Sequence, residues 1–234
     1  MLMAKELATD GLDPECVEIL QEKGHNVDLI HFDREALLSG AISGYHAVVV
    51  RSATKLDSEV LAANMSPGSC IRLIIRAGVG LDNIDLEKAS DYGVIVKNTP
   101  TASTRAVVEF TIGHLLAGAR NIPRSDRAMR SSIWAKKSSS GTELFGKNLG
   151  LVGYGRISRG VAQVAGMLGM NVHVYDPFID DGVTIENTPI IHDSVDSLFS
   201  SCTHISIHCA MTEKTRGMVN YDLMKHLFFL LVFL

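Results

Sequence analysis

The chain has 234 residues, 46% of them hydrophobic and 21% charged, with 20 glycines against 6 prolines. That length and balance suit one large or two small globular domains and exclude a disordered polymer. A net charge of −4, with no long basic run, argues against nucleic acid as a partner.

The four cysteines, Cys16, Cys70, Cys202 and Cys209, stand far apart and form no CxxC pair, so neither a disulfide framework nor a zinc knuckle is expected. The opening residues turn polar within ten positions and lack the apolar core of a secretory signal, which makes the cytoplasm the expected compartment. The apolar segment Leu227–Leu234 is far shorter than the ~20 residues of a membrane-spanning helix, so no membrane association is expected.

Taken in order, Asp13–Lys23 has helical period, Val27–Ile30 reads as a strand, and His46–Val50 as another. Ser58–Ala63 is helical, Leu73–Ile75 a strand, Asp85–Tyr92 a helix and Val94–Val96 a strand. Asp13 and Asp85 open their helices as carboxylates able to accept from free first-turn amides. A longer helix runs from Ser103 to about Arg120, and a more polar one follows Pro123, a residue tolerated in a first turn. The Ser- and Lys-rich stretch 136–141 reads as an exposed loop. Beyond it come a strand over Asn148–Val152, a helix over Arg156–Leu168, and strands over Val172–Tyr175 and Thr203–His208. Strands alternating with helices describe βα units in parallel sheets.

The segment Gly150-Leu-Val-Gly-Tyr-Gly-Arg-Ile-Ser158 sets Gly153 and Gly155 between a strand and a helix. Gly153 permits a tight turn, and Gly155 lets the backbone approach a pyrophosphate that rests on the helix amides. Ser158 replaces the third glycine of the usual GxGxxG. Tyr175-Asp176 ends the next strand, where a carboxylate accepts from the adenosine ribose hydroxyls, and Pro177-Phe178 follow in place of a phosphate-binding arginine. NAD is therefore the expected cofactor.

Arg51-Ser-Ala-Thr-Lys55, Arg76-Ala-Gly-Val-Gly-Leu-Asp-Asn-Ile-Asp85, Asn98-Thr-Pro100, the stretch Gly141 to Ile157 and Tyr175-Asp-Pro177 occur together in this order. In these residues the chain resembles the D-2-hydroxyacid dehydrogenase family, its phosphoglycerate branch most closely, over about residues 4 to 224. The resemblance implies an α/β protein with a flavodoxin-like substrate lobe, 1–99, and an incomplete, doubly wound Rossmann lobe, 100–234, whose hinge helix covers about 103–120. Substrate is expected in the cleft between the lobes. The resemblance implies anion binding by Arg51, Arg76 and the backbone of Ala77, Gly78, Val79 and Gly80, since guanidinium forks pair two-point with phosphate and carboxylate. A plainer fate for both arginines is a rim ion pair. On the cofactor side it adds Val79, Arg156, Ile157 and Cys209; Cys209-Ala210 departs from the family's usual Thr-Pro.

The implied reaction is NAD-dependent oxidation of 3-phosphoglycerate to 3-phosphohydroxypyruvate, the entry to serine biosynthesis, with a glyoxylate or hydroxypyruvate enzyme as the neighbouring reading. The family's catalytic Arg, Glu and His follow the position of Asp222–Lys225, where this chain runs into Lys225-His-Leu-Phe-Phe-Leu-Leu-Val-Phe-Leu234. No catalytic residue is therefore assigned, His226 included, and the chain is expected to be shortened relative to the family. A non-catalytic NAD-binding module is the literal alternative, and its uncovered sheet edge favours a homodimer or pairing with a full-length subunit. The tail from Phe228 either imitates the family's next strand or is unrelated. His204 and His208 stand roughly 13 Å apart along a strand, too far for a shared metal, and Glu109 and Trp134 read as structural.

Overall fold

A computed structural model describes residues 4–179, 189–225, 227 and 231–233. The chain divides into two compact units, Met1–Ser103 and Thr104–Leu234.

The first unit comprises β1 (Lys5–Ala8), α1 (Pro14–Glu22), β2 (Asn26–Asp28), α2 (Arg34–Leu38), β3 (Ala47–Val50), α3 (Ser58–Asn64), β4 (Leu73–Arg76), α4 (Leu86–Asp91) and β5 (Ile95–Asn98). Its strands pair in parallel in the order β2-β1-β3-β4-β5, the flavodoxin-like arrangement. Each helix starts on an aspartate whose carboxylate accepts a first-turn amide: Asp13 from Glu15, Asp33 from Ala36, Asp57 from Val60 and Asp85 from Lys88. Leu7, Val48, Val50 and Ile74 are wholly buried on the sheet, packed with Val60 and Leu61 of α3 and Ala89 of α4. Asn64, also wholly buried, donates to Leu37 O and Val60 O and accepts from Ile42 N, which fixes the segment between α2 and β3.

The second unit comprises α5 (Thr104–Ala119), α6 (Ile122–Arg130), β6 (Asn148–Val152), α7 (Arg156–Met167), β7 (Asn171–Tyr175), β8 (Ile190–Ile191), α8 (Val195–Ser201), β9 (His204–Ile207), α9 (Tyr221–Met224) and β10 (Leu231–Phe233). The parallel order β10-β9-β6-β7-β8 becomes 5-4-1-2-3 when renumbered within the unit, which is five strands of the six-stranded Rossmann order read from the other edge. Alternation along the strands builds two cores. Leu149, Leu151 and Val174 face α5 and α7, while Val152 and Ile205 face α8 and α9. A side chain at Gly150 would stand 2.5 Å from Ile205 Cδ1 and 3.1 Å from Leu198 Cγ, so this glycine is what lets α8 lie close.

Several elements differ from the sequence reading. Strand β1 escaped it because Lys-Glu-Leu-Ala shows no clean alternation, α2 and β8 are too short for a periodic signal, and α8 also lay outside it. Strand β2 covers Asn26–Asp28 rather than 27–30, leaving Leu29 and Ile30 exposed beyond it. At the other end Leu231–Phe233 takes a place beside β9, as the next-strand reading of the tail expects; His226, Phe228–Leu230 and Leu234 lie outside the described residues. No helix among the described residues is long and apolar enough to cross a membrane.

Candidate dinucleotide site and anion loops

In the second unit the chain turns out of β6 at Gly153, whose φ of +88° suits glycine. A Cβ there would lie 2.9 Å from Cys209 N and 3.0 Å from Cys209 Cα, so the loop after β9 presses on the turn. Strands β6 and β9 are adjacent, and their connections run to opposite sides of the sheet. This is the switch point where doubly wound sheets open a crevice for ligands. The fold thus brings Gly153 and Cys209 together from 56 positions apart in sequence, as their numbering gives.

Gly155 is the cap residue of α7, and a Cβ on it would meet nothing within 4 Å. The amides of Gly155 and Ile157 donate to nothing among the described residues, as the first amides of a helix have no partner within it. Arg156 opens the helix beside them.

Asp176, directly after β7, accepts from Tyr154 N at 2.7 Å through Oδ2 and from Phe178 N at 2.9 Å through Oδ1. The acid read from sequence as a ribose ligand therefore also holds the middle residue of the glycine turn. A carboxylate has about four acceptor positions, so two remain for a ribose diol. Tyr154 is buried, its ring beneath the Arg159 guanidinium carbon at 5.2 Å, and Arg159 Nε donates to Tyr154 O at 3.2 Å. These residues fit a dinucleotide: a turn only glycine can make, an open space over Gly155, amides at a helix start and an acid at the ribose position.

Burial pushes the Cys209 thiol up, and the Asp176 charge adds to this, so the group stays protonated at neutral pH. Burial pushes His208 down to about 4, and its Nε2 lies 2.9 Å from Ser206 Oγ. Burial, then repulsion from Lys147, lowers His204, whose Nδ1 lies 2.9 Å from Thr203 Oγ1. The two histidines thus have separate local partners. Ser158 is fully buried and its Oγ has no hydrogen-bond partner. Glu109 and Trp134 are exposed, Trp134 at 77%.

In the first unit Arg51 and Arg76–Gly80 lie at the C-terminal ends of neighbouring strands, with Val50 in register with Arg76. Neither arginine enters an ion pair among the described residues, so the rim-pair reading does not apply there. The Arg76 guanidinium lies over the Gly78 backbone, in the space a Cβ would take, and its buried Nε has no partner. Gly78 has φ +159°, and its carbonyl accepts from Thr99 N, while Val79 O accepts from Asn98 Nδ2 at 2.7 Å. The amides of Val79 and Gly80 donate to nothing among the described residues. Arg51 itself is exposed, and its amide donates to Asp10 Oδ2 at 2.6 Å. The sequence assigns no role to Asp10, Asn83, Asn98 or Arg159, although Asn83 and Asn98 stand within the quoted Arg76–Asp85 and Asn98–Pro100 motifs.

A family model for the NAD-binding domain of D-isomer specific 2-hydroxyacid dehydrogenases matches residues 112–228. The chain belongs to the D-2-hydroxyacid dehydrogenase family. It is a member of a family of NAD-dependent enzymes, and its second unit is the NAD-binding domain. The chain is 38% identical over 214 residues to a hydroxypyruvate reductase of Thermotoga maritima, covering 91% of the chain and 67% of the relative. It is 38% identical over 220 residues to a D-3-phosphoglycerate dehydrogenase of Methanocaldococcus jannaschii, covering 94% of the chain and 41% of the relative. It thus spans about two fifths of that phosphoglycerate dehydrogenase and about two thirds of the hydroxypyruvate reductase. Among solved structures, NAD+-bound 3-phosphoglycerate dehydrogenase of Entamoeba histolytica superposes with a TM-score of 0.77 at 31% identity, over 96% of this chain and 68% of that one. The TT0316 protein of Thermus thermophilus gives 0.84 at 26% identity, over 95% and 70%.

Proposed function

We propose that this dehydrogenase chain serves NAD-dependent oxidation of 3-phosphoglycerate to 3-phosphohydroxypyruvate, and that its first unit holds the anionic ends of that substrate. The observation that carries this reading is the Arg76 guanidinium folded over Gly78, its Nε buried without a partner, beside the unengaged amides of Val79 and Gly80. A buried cationic donor is costly unless an anion completes it. One strand away, the exposed Arg51 supplies a second guanidinium for a second anionic group. A substrate with a carboxylate at one end and a phosphate at the other matches two such positions.

The proposed substrate set is Arg51, Arg76 and the loop Ala77, Gly78, Val79 and Gly80, of which the amides of Ala77 and Gly78 donate instead to Val50 O and Arg76 O. The proposed cofactor set within the second unit is Gly153, Gly155, Arg156, Ile157, Asp176 and Cys209. When bound, NAD supplies the hydride acceptor. The residues named here bind and orient, and none between 4 and 225 is assigned as the acid/base. The cytoplasm is the proposed compartment, and pairing of chains the proposed assembly. The exposed apolar side chains Phe110 of α5 and Ile122 and Met129 of α6 support the latter.

The Thermotoga maritima relative supports a second reading, in which hydroxypyruvate or glyoxylate is the substrate. Titration with NADH by fluorescence, then with 3-phosphoglycerate, D-glycerate and glyoxylate, separates the two. The first reading expects 3-phosphoglycerate to bind most tightly and Arg51→Ala to abolish that preference. Equal affinity for D-glycerate and 3-phosphoglycerate would overturn it in favour of the second. NADH binding without turnover would mark the chain as a non-catalytic module of the family.

A further inference from the structure

The turn that carries Arg51 is fastened at four backbone atoms by only two side chains. Asp10, just beyond β1, accepts from Arg51 N at 2.6 Å and from Thr54 N at 3.1 Å, both on Oδ2, while its Oδ1 accepts from Thr54 Oγ1 at 2.6 Å. Asn83 takes the opposite polarity: its Nδ2 donates to Arg51 O and to Thr54 O, each at 2.7 Å. Both amides of the turn's two ends therefore go to one carboxylate, and both carbonyls to one amide group.

The residue types are dictated by this arrangement. A carboxylate accepts from two amides and a hydroxyl at once, and the two N–H of an NH2 can face two carbonyls. Burial alone would push the Asp10 carboxyl up. The Thr54 hydroxyl and the amides of Arg51 and Thr54 outweigh it and hold the group below the ordinary carboxylate range. The Asp10 side chain is only 4% exposed and faces the turn, with His31 Nδ1 farther off, at 3.9 Å from its Oδ1. Behind it, Thr54 Oγ1 meets Thr9 Oγ1 at 3.1 Å, with both residues buried.

Asn83 belongs to the same loop as Arg76–Gly80, and its carbonyl also accepts from Leu56 N at 2.8 Å. The two anion loops are thereby tied to each other, and Asp10 and Arg51 stand at the ends of β1 and β3, the adjacent strands that flank the switch point of this sheet.

We propose that Asp10 and Asn83 are positioning residues for the substrate's anionic group: by clamping the Arg51–Thr54 turn they fix the Arg51 guanidinium relative to the Arg76 loop. The proposal rests on the reading of Arg51 as an anion ligand. Neither residue touches the substrate. The clamp acts on phosphorylated ligands through Arg51, and leaves cofactor affinity alone.

A double-mutant cycle on the full chain tests this. Affinities for 3-phosphoglycerate, D-glycerate and NADH are measured for wild type, Arg51→Ala, Asn83→Ala and the pair. Each single change is expected to weaken 3-phosphoglycerate about 10-fold, from the loss of one or two positioned hydrogen bonds. The pair is expected to be no weaker than the worse single variant within about 2-fold, because both remove the same contact. D-Glycerate, which lacks the phosphate, and NADH are expected to change less than about 2-fold in all three. Additive losses, or equal losses for D-glycerate and 3-phosphoglycerate, would overturn the clamp and leave Asn83 merely structural. An Arg51→Ala chain with wild-type affinity would instead overturn the reading of Arg51. If Asn83→Ala does not fold, the cycle is run with Asp10→Ala, which removes the acceptor shared by the Arg51 and Thr54 amides. Hydrogen exchange then reads whether the Arg51 and Thr54 amides lose protection, and unchanged protection with unchanged affinity would also overturn the clamp.

Discussion

Two glycines, one residue apart, should fail in opposite ways when changed to alanine. Gly153 has φ +88°, and a methyl there would stand 2.9 to 3.1 Å from three backbone atoms of His208 and Cys209. The left-handed conformation costs a non-glycine residue roughly 1–2 kcal/mol, and overpacking against backbone about 1–3 kcal/mol more. Gly153→Ala should therefore destabilise the second unit by roughly 2–5 kcal/mol, seen as a fall in Tm of about 10 °C and a lower urea midpoint with unchanged slope. Gly155 has φ −78° and open space around its Cβ position, so Gly155→Ala should fold with wild-type Tm. If a pyrophosphate comes close to the backbone in that open space, as proposed, the variant should lose NADH binding by about 10-fold or more. Thermal melts and NADH fluorescence titrations on both variants read this. A Gly155→Ala chain that binds NADH normally, or a Gly153→Ala chain that melts like wild type, would refute the reasoning.

Ser158→Ala removes a buried hydroxyl with no partner and should stabilise by about 1 kcal/mol, raising Tm by a few degrees while NADH affinity holds; a loss of stability would mean the hydroxyl is satisfied. Asn64→Ala leaves Ile42 N, Leu37 O and Val60 O without their side-chain partner and should cost roughly 3 kcal/mol in urea unfolding. His208 is held neutral by burial, its pKa falling from 6.5 to about 4, and burial lowers His173 and His204 in the same direction. An unfolded chain then binds more protons than the folded one, so the contribution of His208 is complete above pH 6.5 and is lost as pH falls toward about 4. It amounts to at most about 3 kcal/mol, and His208→Gln should flatten the pH dependence of the urea midpoint in that window.

What the sequence made legible was whatever a short window contains. The placement of Gly153, Gly155 and Asp176 between strand, turn and helix follows from local spacing, and parallel sheets could be read from β-branched runs broken by capped helices. Strand β1 was hidden because Lys5 and Glu6 interrupt its apolar pattern, and β8 because two residues have no period. The bonds of Asp10 and Asn83 were illegible for a different reason. Their partners lie 29 to 44 residues away, and nothing in a polar residue's own neighbourhood reveals which distant backbone it will bind. Asp176 shows the intermediate case: its position marked a ribose acceptor, but its bond to Tyr154 N became visible only once β6 and β7 were side by side.

The contact between Gly153 and the loop after β9 also imposes an order on assembly. Strands β6 and β7 meet across a separation of 23 residues, whereas β6 and β9 meet across 55. Loop closure favours the shorter span, so during synthesis the β6–α7–β7 hairpin of elements can form while β9 is still within the ribosome. The glycine turn stays open on one side until Cys209 arrives. A nascent chain therefore has no complete dinucleotide crevice, and NAD can stabilise this unit only after its longest-range pairing is made.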